Sequence, residues 1–187
     1  MKDLGLFKGR HVLLTGHTGF KGVWLALLLL RAGAEVTGFA LDAPTAGGME
    51  ALSRLGILKE IRDVRGDVRD LVTLQHAFRE ACPEVVFHLA AQPIVRTSYR
   101  QPVDTFAANV MGTVNILECI RTSDTVRSAL MVTTDKVYEN KEWPWGYREN
   151  EPLLGYDPYS ASKSCAEIAA HSYRQSFFAD GRVRLST

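Results

Sequence analysis

Tyr159 and Lys163, four positions apart in "YSASK", are the pair in this sequence best suited to moving a proton. Residues at i and i+4 share a helix face, and a neighbouring ammonium favours the phenolate, the form a general base needs. Such pairs also arise by chance, so the reading depends on what the rest of the chain offers them. Far upstream, "LLTGHTGFKG" (13–22) carries Gly16, Gly19 and Gly22 at three-residue spacing, directly after the apolar run "HVLLTG" and before a helical stretch. In that context each glycine has a task. One permits the tight turn, one lets the backbone approach a pyrophosphate, and one allows the helix to pack closely on the strand. The helix amino terminus adds free N–H groups and a positive dipole for the phosphates.

Two carboxylates extend the dinucleotide reading. Asp42 follows Gly22 by twenty residues, at the carboxyl end of a second strand. A carboxylate there accepts hydrogen bonds from the adenosine ribose and repels a 2′-phosphate, which favours NAD over NADP. The competing reading is that Asp42 only starts the "DAPT" turn, where Asp is common. Asp67, with Val68 after it, ends a third strand in "RGDVRD" and is placed for the adenine, although Asp67 taken alone equally suits a helix cap.

These residues need a scaffold, and the pattern supplies one. Strands are expected at 11–16, 34–42, 61–68, 83–91, 126–138 and from 182, and helices at 20–32, 102–122 and 160–178. Strands alternating with helices, some strands apolar on both faces, indicate an α/β fold of the Rossmann type: a doubly wound parallel sheet with helices on both faces. The apolar run "VWLALLLL" (23–30) is far short of the about 20 residues a bilayer requires and reads as a buried helix. Segment 139–158, containing Trp143, Trp145 and Tyr147, is the one long loop, and long loops in compact domains are often functional.

Composition bounds the partners. With 187 residues, 46% apolar and 23% charged, the chain suits one sizeable domain. A formal net charge of +1, with both signs interspersed, argues against nucleic acid as the main partner. Cys82, Cys119 and Cys165 are scattered and odd in number, which suits buried thiols in a reducing cytoplasm rather than disulfides or a metal site. His17 and His88 have no partner at metal-ligand spacing, so ordinary turn and strand-end roles are expected.

The motifs "TGHTGFKG", "GDVRD", "HLAAQ", "NVMGT", "TTDKVY" and "YSASK", in that order, make the sequence resemble the extended short-chain dehydrogenases/reductases. Within them it is similar to the CDP-glucose 4,6-dehydratases, through "TGHTGFKGVWL", "ALDAPT", "FHLAAQPIVRTSY", "TTDKVYEN" and "WPWGYRENEPLLGYDPYSASK". The resemblance covers essentially the whole chain. It implies NAD as cofactor, with Gly16, Gly19, Phe20, Lys21 and Gly22 around the pyrophosphate. It implies Leu89, Ala90, Ala91 and Gln92 on the nicotinamide side, and Asn109 near the cofactor. Thr134, Tyr159 and Lys163 match the catalytic set, and Asp135 matches the residue that handles the departing water. Lys136 stands where the dTDP-glucose relatives often carry a glutamate base, which leaves two roles open for it: carbon-5 base, or a structural or substrate-orienting cation.

The activity implied is conversion of CDP-glucose to its 4-keto-6-deoxy derivative by internal hydride transfer. A sugar-nucleotide epimerase and a non-catalytic NAD-binding module are the alternatives. Residues 1–187 then form the NAD-binding Rossmann domain, and the family's carboxyl-terminal sugar-nucleotide domain lies outside them. By the same analogy, helices 102–122 and 159–178 form a homodimer interface. Arg96 suits either a substrate phosphate or a surface ion pair.

Overall fold

The structure, a computed structural model, describes residues 4–42 and 46–187. Beyond Asp42, the turn expected from "DAPT" lies outside the described residues.

Six strands form one sheet: β1 (His11–Thr15), β2 (Glu35–Ala40), β3 (Arg62–Arg65), β4 (Val85–His88), β5 (Ser128–Met131) and β6 (Arg184–Ser186). Every pairing is parallel, and the order is β3-β2-β1-β4-β5-β6. This is the doubly wound order, in which the chain reverses direction across the sheet between β1 and β4. Parallel neighbours need crossover connections, and helices α1 (Phe20–Arg31), α2 (Ala46–Arg54), α3 (Leu71–Ala81), α4 (Val95–Arg100), α5 (Pro102–Phe106), α6 (Gly112–Arg121) and α7 (Pro158–Phe177) supply most of them.

Strand alternation splits the core into two layers. Val12 and Leu14 of β1 join Val23, Ala26 and Leu29 of α1 and Val36 of β2 on one face. Leu13 points the other way, into a larger cluster with Phe39, Val86, Leu74, Ile116, Leu117, Ile120 and Ala170. Each such aliphatic side chain, once buried, contributes about 1.5–3 kcal/mol. The run "VWLALLLL" is buried on one face only, since Trp24 and Leu28 are exposed. No helix among the described residues is long and apolar enough to cross a membrane.

The chain stops α1 with Gly33, whose φ of +79° follows the helix end and turns it toward β2. Two expected elements differ from what forms. The stretch 102–122 is helical from Pro102 to Arg121, as expected, but a wide π-type turn at Ala107–Met111 interrupts its α-helical bonding between α5 and α6. The fifth strand is short, because after Met131 the backbone leaves the sheet and tightens into a 3-10 turn at Asp135–Val137. Helices α2, α3 and α4 lie in stretches outside the three helices expected from the pattern. The cysteines are all free, with Cys119 buried as expected but Cys82 exposed in the left-handed cap of α3.

Candidate active site

In an open parallel sheet, the crevice forms outside the carboxyl ends of the strands where the winding reverses. Here that point lies between Thr15 of β1 and His88 of β4, which pair side by side. The glycine turn opens directly from it. Gly16 has φ +74°, and a Cβ there would lie 2.7 Å from the Ala90 nitrogen. Gly22 is tighter still, since its Cβ would meet the Gly16 carbonyl oxygen at 2.1 Å. Gly19 caps α1 in an extended conformation, and no side chain bonds the first turn of the helix. A turn that admits no side chain, leading to an uncapped helix amino terminus, fits a pyrophosphate. Phe20 and Lys21 follow in that first turn, both exposed.

A buried polar chain runs from this turn to the helix that carries Tyr159 and Lys163. The Thr15 Oγ1 atom accepts the backbone N–H groups of Leu89 and Ala90, both at 3.2 Å, and lies 2.7 Å from His88 Nδ1. On the other side of the ring, His88 Nε2 lies 3.2 Å from Thr113 Oγ1, which itself donates to the Asn109 carbonyl at 2.7 Å. Thr113 has one hydroxyl proton, so it accepts from Nε2–H, and Nδ1 accepts from Thr15. His88 is therefore the neutral Nε2–H tautomer. Complete burial, reinforced by nearby Lys163, pulls its pKa down to about 3.

Asn109 sits in the π-type turn and is fully buried. Its Oδ1 accepts from Gln92 N at 2.8 Å, while its Nδ2 donates to the Gln92 carbonyl at 3.1 Å and to Ser162 Oγ at 2.9 Å. Ser162 donates in turn to the Tyr159 carbonyl at 2.6 Å. The Gln92 side chain donates to Thr105 and accepts from Ile94 N. Asn109 thus spends its side chain on positioning two segments, and Ala91 lies half-buried between them.

Asp157 starts α7 by accepting the N–H groups of Tyr159 and Ser160 at 3.0 and 3.1 Å, with Pro158 as the first helical residue. Tyr159 is half-buried and Lys163 buried on this helix. The Lys163 Nζ atom donates to the Val132 carbonyl at 3.1 Å, just beyond β5. Burial brings its pKa down to about 8, with the Glu167 carboxylate opposing and Lys21 adding to the shift. Thr133 donates to Glu167, so α7 is tied to two successive residues past β5.

That tie positions the segment that follows. Thr134 caps the 3-10 turn through Lys136 N at 3.4 Å and donates to Asp135 Oδ1 at 3.0 Å. Asp135 and Lys136 are both exposed, with Lys136 Nζ 3.7 Å from Asp135 Oδ1. The lysine side chain is 56% exposed.

Asp42 lies two residues past β2, exposed and 3.5 Å from Arg65. Asp67 is bound by the Arg69 guanidinium, which holds its carboxyl below the usual range. The helix-cap role open to Asp67 belongs instead to Asp70, which accepts Val72 N and Thr73 N. Val68 turns its side chain into the core, where a Cβ on Gly112 would meet it at 2.7 Å.

Of the loop aromatics, Trp143 and Tyr147 pack with Tyr138, at centroid distances of 5.5 Å (Trp143–Tyr147) and 5.7 Å (Tyr138–Tyr147), while Trp145 stays exposed. Arg96 is exposed and makes no ion pair among the described residues. His17, expected in an ordinary turn role, is buried and bonded to Asp63 at 2.8 Å. Among the described residues, no cluster of three or more His, Cys, Asp or Glu is arranged to hold a metal.

Comparison with known proteins agrees with this geometry. The GDP-mannose 4,6 dehydratase family matches residues 13–180. A CDP-glucose 4,6-dehydratase of Salmonella typhimurium is 51% identical over 95% of this chain and 49% of its own length. Thus the chain spans about half the length of the curated relatives it matches. Among solved structures, a double mutant of dTDP-glucose 4,6-dehydratase from Streptomyces venezuelae, with NAD bound, superposes with a TM-score of 0.80 at 27% identity, covering 93% of this chain and 54% of that one. A UDP-glucose 4-epimerase from Thermus thermophilus, also with NAD, gives 0.78 at 30%, covering 94% and 53%. The matched span leaves only the chain's extreme ends outside it, and the chain belongs to the GDP-mannose 4,6 dehydratase family.

Proposed function

We propose that the protein removes water from a nucleotide-linked hexose, CDP-glucose, giving the 4-keto-6-deoxy sugar nucleotide, with NAD as its cofactor. The observation that carries this reading is the convergence of three chain segments at the carboxyl end of the sheet. The side-chain-free turn at Gly16–Gly22, the Thr134–Lys136 segment past β5 and the amino terminus of α7 all open there. Identity of 51% to a CDP-glucose 4,6-dehydratase supports the substrate.

The turn residues Gly16, Gly19, Phe20, Lys21 and Gly22 would hold the pyrophosphate, Asp42 the adenosine ribose and Asp67 the adenine. Leu89, Ala90, Ala91 and Gln92 would border the nicotinamide. When bound, NAD supplies a reversible redox partner, taking hydride from carbon 4 of the sugar and returning it at carbon 6. Tyr159 takes the proton of the carbon-4 hydroxyl, and Lys163 beside it stabilises the phenolate. Thr134 orients that hydroxyl. Once carbon 4 is a ketone, a base of the complete enzyme takes the acidic carbon-5 proton, the electron pair left behind forms the carbon-5–carbon-6 double bond, and the carbon-6 hydroxyl leaves as water with a proton from Asp135. The exposed, paired state of Lys136 suits a substrate-orienting cation better than a neutral base.

The full reaction needs more than these residues, because the relatives carry about as many residues again. The substrate domain is proposed to lie in that further part. The helical region 102–122 and α7 expose Val103, Met111, Ile168 and Phe177, an apolar surface suited to a homodimer. A monomeric mass by light scattering would refute the dimer. Free, unpaired cysteines suit a cytoplasmic location.

The test is to incubate the full-length protein and NAD⁺ separately with CDP-, dTDP-, UDP- and GDP-linked glucose and mannose. Mass spectrometry should show loss of one water from CDP-glucose. Loss from another nucleotide alone would reassign the substrate, and an isomer of unchanged mass would favour epimerisation.

A further inference from the structure

Glu167 lies on α7 one turn beyond Lys163, and no task in the proposed dehydration falls to it so far. It is half-buried, and its place four residues after Lys163 puts both side chains on one face of the helix. That face meets the chain where it leaves β5. Lys163 Nζ donates to the Val132 carbonyl at 3.1 Å, and Thr133 Oγ1 donates to Glu167 Oε1. Val132 N donates in turn to the His88 carbonyl at 3.0 Å, so this strand end is itself held to β4. Two successive residues past the strand thus receive two successive turns of α7. The next residue, Thr134, opens the segment proposed to act on the sugar.

Among the described residues, Glu167 is the charged group that favours the ammonium of Lys163, while burial and Lys21 of α1 oppose it. The other neighbours contribute little. His88 of β4 is neutral, and the Asp135–Lys136 pair beyond β5 is exposed. The π-type turn meets α7 with the uncharged Asn109, Asp104 of α5 is paired with Arg69, and Arg96 and Arg100 of α4 are exposed. Glu118 of α6 is bound to Arg121 and reaches α7 at Tyr173. Along the helix axis Glu167 is about 6 Å from Lys163 but about 12 Å from Tyr159, so it acts on the ammonium more than on the phenol. We propose that Glu167 is a positioning residue for the dehydration: tied to the strand end through Thr133, its carboxylate keeps the ammonium on Lys163, and through it the phenolate on Tyr159. Without that carboxylate, the first proton to leave the pair comes from the lysine instead of the tyrosine, and the base forms only at higher pH.

The inference rests on the proposed dehydration, and two readouts separate them. Turnover of CDP-glucose by the full-length protein with NAD⁺ is followed against pH for the wild type, Glu167→Gln and Thr133→Val. Stability is measured by denaturation over the same pH range without substrate. Glu167→Gln keeps an oxygen that can accept from Thr133, so it removes the charge and little else. Its acid limb of kcat should move up by about one pH unit, which is about a tenfold loss on that limb, with KM for CDP-glucose unchanged. The alkaline rise in its stability should move the opposite way and begin at lower pH, because the buried lysine gives up its proton sooner. A residue with a merely structural role would lower kcat evenly across the pH range. That result, or a limb that stays in place, overturns the proposal. Thr133→Val releases the carboxylate and should shift both readouts in the same two directions by less, which also serves if Glu167→Gln does not fold. Curves for Thr133→Val that coincide with the wild type would overturn the tie. A wild type that does not turn over CDP-glucose would remove the proposed dehydration, and this role with it, whatever the stability curves show.

Discussion

Asn109 and Ser162, separated by 53 positions in the chain, share a 2.9 Å hydrogen bond at the centre of the site. Through it the π-type turn grips the first turn of α7, and Ser162 passes the restraint to the Tyr159 backbone. The same Asn109 amide clamps both backbone groups of Gln92. One buried side chain therefore fixes the segment at Gln92 relative to Tyr159.

Asn109→Leu keeps the volume but strands the Gln92 backbone groups and Ser162. Buried polar groups left without partners cost about 1–3 kcal/mol each. A loss of about 2–4 kcal/mol is expected in chemical denaturation, with the larger effect on turnover because Tyr159 loses its anchor. A stability change under 1 kcal/mol would show that water replaces the amide.

His88 predicts the acid limb of stability. Its folded-state pKa is about 3, below its ordinary 6.5. Above pH 6.5 both states are neutral and the shift contributes nothing. Between 6.5 and 3 the unfolded chain binds a proton that the folded one refuses, so stability falls as pH falls, by about 1.4 kcal/mol per unit. His88→Asn should be less stable at pH 7, having lost contacts to Thr15 or Thr113, yet its stability should decline less steeply from pH 6 to 4. Parallel curves for variant and wild type would show that His88 does not set this limb.

Lys163 acts at the alkaline end with the same arithmetic. Its pKa of about 8 lies below the usual 10.5. Below pH 8 the buried charge is a constant burden. From pH 8 to 10.5 the folded lysine is neutral while the unfolded one still holds its proton, so stability rises with pH, in total by about 3 kcal/mol. Lys163→Met should lose this rise, which paired denaturation curves at pH 7.5 and 10 will show. Glu167→Gln should extend the rise to lower pH, because the carboxylate is the group that favours the ammonium.

Gly22→Ala tests the turn. Its Cβ would sit 2.1 Å from the Gly16 carbonyl and 2.7 Å from His17 Cα, both backbone, so neither can swing aside. The variant should bind NAD⁺ at least a hundredfold more weakly and unfold at lower temperature, as measured by calorimetry and circular dichroism. Unchanged affinity would mean that the turn does not cradle the pyrophosphate.

The parallel sheet was legible because its strands are short β-rich runs with glycine between strand and helix, and because Gly16–Gly22 and Tyr159–Lys163 are local patterns. What was not legible comes from contacts between distant residues. The π-type turn inside the helix 102–121 leaves no mark in a helical period that runs through it, and it is there that Asn109 reaches Gln92 and Ser162. Helix α3 does carry Leu71, Leu74, Phe78 and Ala81 at helical spacing, whereas the six residues of α4 are too few to show a period. The link from His17 through Asp63 to Arg65 joins the turn after β1 to β3, and Val68 follows Asp67 without revealing that its side chain enters the core. The fate of Trp143 and Tyr147 likewise depends on Tyr138, to which the loop folds back.

The central claim, a redox cycle that closes on one sugar, is tested most directly by the fate of the carbon-4 hydrogen. The full-length protein is given CDP-glucose deuterated at carbon 4 with NAD⁺, and the product is examined by mass spectrometry and NMR. The account predicts loss of one water with the deuterium retained at carbon 6. Water loss with the label gone to solvent, or label returned to carbon 4 with no water lost, would contradict it.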